Sequence, residues 1–183
     1  NTRFAVERYK YEPSRPEQGN VVFRLLKGGL RALTGLVARS NNRQFQVNTA
    51  VATIGVRGTG FDLMCTGPCA EDGEAGPADV PPGLTGGNWQ GCNVVRNDKG
   101  EEQFCEGEAV NVASENDAPK RLPAMPAFFD RSNAPRPDKL KLNLEELFGV
   151  QQDDFAEPGV YVQVREGVVT LKGSGTETFT LSK

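Results

Sequence analysis

The chain has 183 residues, of which 37% are hydrophobic, with 21 glycines, 12 prolines and a net charge of −3. That length suits one domain with a working core, and the glycine and proline content favours many short strands over long helices. The complete lack of histidine removes the commonest general base and metal ligand, and no apolar run is long enough to span a bilayer as a helix.

Charge is unevenly spread. Residues 1–60 hold ten Arg or Lys against three Asp or Glu, a balance of +7, which leaves −10 for the remainder. The cations stand singly along strand-like segments (Arg24, Lys27, Arg31, Arg39, Arg43), as on a solvated strand face. No nucleic-acid-binding motif accompanies them, so nucleic acid is not an expected partner.

Residues 2–11 alternate Phe4, Val6, Tyr9 and Tyr11 with charged neighbours, which predicts a strand with one apolar face. The chain opens directly in this alternation, without a signal peptide, so we expect the native amino terminus to lie upstream. Prolines and Gly19 make residues 12–20 a loop. Residues 21–26 predict a strand, and Lys27, Gly28 and Gly29 a turn or bulge. Over residues 30–38 the leucines fit a helical period, but Thr34 and Gly35 interrupt it, and we read a strand. Residues 39–43 are a turn by their Ser and Asn chemistry.

Residues 49–63 (TAVATIGVRGTGFDL) organise the rest. β-Branched alternation through Val51, Thr53, Ile54 and Val56 reads as strand, and Gly55, Gly58 and Gly60 mark a bulge or a close approach of two backbones. Arg57 lies between two glycines. A structural role, donating to carbonyls or a carboxylate, is preferred to ligand binding. GVRGTG is not a phosphate loop, because it continues a strand pattern and no helix follows.

From Met64 the pattern changes. Residues 65–92 are rich in glycine, proline and acidic residues and read as a long loop, which its cysteines explain. Cys65, Cys69, Cys92 and Cys105 allow three disulfide connectivities, and sequence alone does not choose among them. Zinc is disfavoured by the absent histidines and the long second spacing. The pairing Cys65–Cys69 and Cys92–Cys105 is our expectation; the second would close a hairpin turning at residues 97–100 and contribute about 3 kcal/mol in the chain-entropy model. Glu71, Asp72, Glu74 and Asp79 do not match a calcium loop. Trp89 reads as an anchor holding the loop down, with a partner platform as the lesser reading.

Residues 94–112 return to strand pattern and echo the chain's end, with Phe104 and Phe179 in matching places. Residues 118–139 carry prolines with Met125, Phe128 and Phe129. An apolar strap over the domain's own core is favoured, and a partner-binding arm is the alternative. Residues 142–149 (LNLEELFG) have a capping box and a terminal glycine, the one good short helix. Strands are predicted on both sides of a Glu166–Gly167 turn and again over residues 176–182.

Three segments carry a resemblance: residues 23–35 (FRLLKGGLRALTG), 45–63 (FQVNTAVATIGVRGTGFDL) and 159–171 (GVYVQVREGVVTL). Together they resemble the FecR domain family. The resemblance implies an all-β, non-catalytic, envelope-exposed domain. In the family's best-known members it lies in the periplasm and relays a signal from an outer-membrane TonB-dependent receptor to an anti-sigma system. Its motif positions here are Gly28, Gly29, Gly35, Thr49, Gly55, Arg57, Gly58, Thr59 and Gly167.

The expectation is therefore a single all-β domain over residues 1–183, with short strands in two stacked faces. It is β-solenoid-like, with a β-sandwich as the alternative, and has one short helix and a disulfide-bonded elaboration over residues 64–158. No catalytic, cofactor or metal residues are expected. The functional expectation is a periplasmic or extracellular sensing module that binds a protein or glycan; the alternative is a self-assembling subunit of a surface fibre, layer or envelope complex.

Overall fold

The structure, a computed structural model, describes residues 2–10, 15, 18–34, 45–57, 59–131, 168–172 and 178–182, with residue 131 and the last two stretches given by backbone alone. The strands are β1 (Arg3–Lys10), β2 (Asn20–Leu33), β3 (Phe45–Asn48), β4 (Thr53–Val56), β5 (Gly60–Thr66), β6 (Gly83–Gln90), β7 (Cys92–Asn97), β8 (Gly100–Cys105), β9 (Ala109–Val112), β10 (Lys120–Arg121), β11 (Val168–Lys172) and β12 (Thr178–Ser182). One short helix, α1, covers Ala127–Arg131. β1 to β10 form one sheet in the order β10-β9-β6-β5-β2-β3-β4-β7-β8, with β1 also on β2, while β11 and β12 pair with each other and β11 lies alongside β1.

β2 makes this sheet into two layers. Its first half pairs antiparallel with β1 and parallel with β3. From Gly28 to Leu33 it pairs with β5. The change of partner falls at Gly28, whose φ of +79° is a left-handed conformation that glycine adopts without a Cβ penalty. The Lys27–Gly28–Gly29 segment is thus an irregularity inside a continuous strand. Thr2 reinforces it: its Oγ1 donates to the Gly29 carbonyl and accepts from the Gly29 amide, at 3.0 and 3.1 Å.

The inner faces share one core. The alternating residues of the first layer (Phe23, Val47, Ile54, Val95) meet Phe61, Leu63, Leu84, Val110 and Val112 of the second. Phe4, Phe23 and Phe45 stack edge to face with centroids 5.0 and 5.3 Å apart. Burying a side chain of this size contributes about 1.5–3 kcal/mol. The far edges of the sheet then approach each other. Asn88 Nδ2 on β6 donates to the Phe104 carbonyl of β8 at 3.2 Å, and Asn88 forms a parallel bridge with Glu106 just past the end of β8. Arg121 on β10 reaches across to Glu102 and the Gln103 carbonyl of β8. The result is a nearly closed, barrel-like sheet in which β8 and β10, the path's two ends, are covered by each other's neighbours.

Several elements differ from the sequence reading. The loop expected over residues 65–92 contains β6, a strand of glycines and polar residues whose first seven residues are buried. Its composition hid it: Leu84 and Trp89 are buried, but at Gly83, Gly86 and Gly87 it is the neighbours that fill the space. The proline-rich segment does pack on the domain, but through α1, where an extended strap was expected. Residues 142–149, the expected helix, lie outside the described residues, as do Gly35, Gly58 and Gly167.

Gly83 opens β6 with φ +100°, and a Cβ there would collide with the Val112 and Ala113 backbone. Gly73 also has a positive φ, but a Cβ there would meet nothing within 4 Å. Gly83→Ala should therefore cost about 2–4 kcal/mol and Gly73→Ala no more than about 1 kcal/mol. Urea unfolding of both variants tests this; equal midpoints would refute the packing assigned to β6.

Candidate interaction surface

The two layers treat their outer faces differently. On the second layer, Asp62 of β5 stands opposite Arg31 of β2. Their side chains are 8% and 11% exposed. Arg31 donates through Nε to Asp62 Oδ1 at 2.5 Å and through Nη2 to Oδ2 at 2.9 Å. The same Nη2 donates to the Phe129 carbonyl at 2.8 Å. A forked guanidinium matches a carboxylate with two parallel bonds and has donors left over, so one buried ion pair also fixes α1 to the sheet. Around it Phe129, Met64 and Val80 form a second apolar cluster with Met125 and Phe128. Gly87 leaves the gap that receives Met125 and Phe129. This double cover explains why all seven residues of β5 are buried.

Met125, Phe128 and Phe129 thus cover their own sheet. Trp89 is likewise buried on β6, its ring lying against Gly60. Pro119 and Pro126 are buried in the same strap.

The first layer's outer face has no such cover among the described residues. Its ladder registers place Arg8, Val22, Gln46, Gly55, Val94 and Gln103 in one row. The next row holds Ala5, Arg24, Asn48, Thr53, Arg96 and Glu101. Glu7 already bonds Arg24 and Asn48. Arg8, Arg57 and Arg96 are exposed and make no hydrogen bond or ion pair with the described residues. Arg57 was expected to be tied to neighbouring groups. Among the described residues it has no such partner and lies exposed, following buried Val56 at the end of β4; an arginine that is so tied is Arg31.

Of the remaining motif positions, Thr49 builds the β3–β4 turn, with Oγ1 donating to the Ala52 carbonyl at 2.8 Å and accepting from the Ala52 amide at 3.1 Å. Gly55 keeps the first layer's outer face flat, its nearest neighbour being the Val94 carbonyl. Thr59 belongs to a buried polar chain missed in the sequence. Its amide donates to Thr34 Oγ1 at 2.6 Å, and its hydroxyl donates to Asn93 Oδ1 at 2.8 Å. Asn93 Nδ2 donates to Asn88 Oδ1 at 2.8 Å, and Asn88 Nδ2 to the Gly91 and Phe104 carbonyls. Side-chain amides at a sheet junction can be satisfied this way without ordered solvent.

Both disulfides join the nearer cysteines: Cys65–Cys69, where β5 turns into a 3-10 turn, and Cys92–Cys105, directly opposite each other on β7 and β8. The acidic loop after the first is held by cations of the early strands. Lys27 Nζ donates to Asp72 at 2.5 Å and Glu74 at 2.8 Å, and Arg3 bonds Glu71 at 2.6 Å. The described residues contain no metal-ligating cluster.

No family model and no curated protein matches this chain. Two crystal structures of candidate anti-sigma factors from Parabacteroides distasonis ATCC 8503 are similar to it. One is 12% identical with a TM-score of 0.44, covering 96% of this chain and 85% of that one. The other is 12% identical with a TM-score of 0.42, covering 60% of this chain and 44% of that one. At these scores the likeness transfers no function. Among the described residues no helix is long and apolar enough to cross a membrane.

Two outcomes are expected. Asp62→Asn removes the carboxylate charge that faces a buried guanidinium and should cost about 3–5 kcal/mol, whereas a paired Arg31→Met, Asp62→Leu change should recover much of that. Chemical denaturation checks both. The Lys27 pairing with Asp72 and Glu74 raises the Lys27 pKa above its ordinary 10.5, and that with Lys27 lowers the Asp72 pKa below its ordinary 3.8. The loop's contribution should therefore be constant between those values, fall as Asp72 protonates below 3.8, and fall again as Lys27 deprotonates above 10.5. Hydrogen exchange of residues 71–74, corrected for intrinsic rates, should show that plateau.

Proposed function

We propose that the chain is a non-enzymatic, FecR-like binding module of the cell envelope, and that it presents the first layer's outer face to an acidic protein segment. The carrying observation is the contrast between the two outer faces. One is sealed by the chain's own strap through Arg31, while the other leaves Arg8, Arg57 and Arg96 without partners among the described residues. Cations outnumber carboxylates on that open face, and unsatisfied guanidinium groups are forks suited to carboxylates. The two disulfides fit an oxidising compartment, periplasmic or extracellular. The absence of histidine supports a binding role over catalysis. For the architecture, the antiparallel pairing of every sheet neighbour except β2 with β3 supports the closed sandwich over the solenoid-like coil.

A fluorescein-labelled decaglutamate peptide is the probe. The oxidised protein should bind it in a salt-dependent way, and an Arg57→Glu, Arg96→Glu variant with an unchanged melting temperature should bind at least ten-fold more weakly. Equal binding by the variant, or no binding by either, would overturn this reading. Light scattering across concentrations, run on the same samples, separates the structural alternative. A fixed oligomer or polymer supports an assembly subunit, and a monomer throughout supports the module.

A further inference from the structure

The two disulfides occupy opposite chemical environments. Cys65 and Cys69 are 0% and 1% exposed. Cys65 Sγ faces the Leu25 and Leu26 carbonyl oxygens at 4.0 and 3.9 Å, so a thiolate there would be both buried and set against negative dipoles. Cys92 and Cys105 are half-buried on the open outer face. The exposed Gln103 side chain donates from Nε2 to Cys105 Sγ at 3.5 Å. Arg57 follows Val56, and Cys92 precedes Asn93, at the last rung of the β4–β7 ladder. Arg57, without a partner among the described residues, therefore flanks the cysteine that is reachable from outside. Cationic surroundings, a hydrogen-bond donor and exposure favour thiolate character, whereas apolar burial opposes it.

We infer that Cys92–Cys105 is a thiol–disulfide exchange site for a dithiol reductant, and that its redox state sets how tightly the sheet is closed. The steps balance as follows. A thiolate of the dithiol, drawn towards Arg57, attacks Cys92 Sγ. The Cys92–Cys105 bond breaks, and Cys105 leaves as a thiolate held by the Gln103 amide. The second thiol of the reductant, deprotonated, then attacks its own sulfur in the mixed disulfide and releases Cys92 as a thiolate. The dithiol becomes a disulfide, two electrons pass to the protein, and the two protons lost by the reductant balance those taken up when the cysteines are thiols.

The structural consequence follows from what adjoins each cysteine. Asn93, next to Cys92, is the middle of the buried Thr59–Asn93–Asn88 chain. Cys105 begins the turn that closes the sheet: its amide donates to Glu108 Oε2 at 2.7 Å, Glu106 bridges to Asn88, and the Gly107 amide and Glu108 carbonyl bond the Asn88 backbone. The bond therefore clamps β7 to the turn on which the closure rests. Cys65–Cys69 clamps only a local corner, so the two bonds differ in consequence as well as in reactivity.

The experiment treats the oxidised protein with dithiothreitol at neutral pH, quenches with iodoacetamide at intervals, and locates the alkylated cysteines by mass spectrometry. Cys92 and Cys105 should be labelled at least ten-fold faster than Cys65 and Cys69. Gln103→Leu and Arg57→Ala should each slow the first pair several-fold and leave the second unchanged. Equal labelling, faster labelling of Cys65 and Cys69, or insensitivity to both substitutions would overturn the assignment. Hydrogen exchange on the selectively reduced protein reads the closure. Protection should fall at residues 88–93 and 104–109 and hold at residues 61–65, and unchanged exchange at the first two segments would overturn the coupling.

Discussion

One strand has to serve both layers. β2 is hydrogen-bonded to β1 and β3 through its first half and to β5 through its second. Everything downstream inherits its geometry. The left-handed Gly28 lets the strand change partners without breaking, and Thr2 satisfies the Gly29 backbone beside the change. Because the layers share this strand, their inner faces meet in one core and their remaining edges are brought within reach of each other. The closure of β8 onto β6 and β10, through Asn88, Glu106 and Arg121, completes what β2 begins.

Closure of this kind needs polar residues where a core would ordinarily be apolar. Backbone groups at the junction cannot all find ladder partners, and Thr34, Thr59, Asn88 and Asn93 supply the missing donors and acceptors. The outer face of the second layer uses a different device, an ion pair that bonds a backbone carbonyl of its own cover. A buried pair contributes little net stability over a well-packed apolar substitute. Its value here is positional, since the guanidinium fork holds Phe129 above Met64 and Gly87.

The strand content was readable because alternation is a local signal. Phe23, Val47, Ile54 and Val95 announce their faces in their immediate neighbourhood, and the chain's adjacent cysteines suggest hairpin-like bridges. β6 was unreadable for the opposite reason. Its Gly83, Gly86 and Gly87 carry no side chain to report burial, and only the residues packed on them, Val112, Phe104 and Met125, reveal it. Arg57 reads as confined because Gly55 and Gly58 bracket it, whereas its place after buried Val56 leaves it exposed. Asp62 offered a usable signal that was passed over, a carboxylate inside an apolar run, where burial requires a partner. Its partner Arg31 lies 31 residues away, and the carbonyl that Arg31 also holds lies 98 residues from that arginine. No local pattern encodes such distances.

That last separation also sets an order of events during synthesis. Met64 and Val80 have left the ribosome well before Phe129, the residue that covers them, has been made. At roughly 5–20 residues per second, the second layer's outer face stays bare for about 2–10 seconds, with Asp62 and Arg31 as its polar guard. A charged pair in the middle of that face makes it a poor template for adhesion to another nascent chain, so the ion pair that later seats the strap first protects the surface that waits for it.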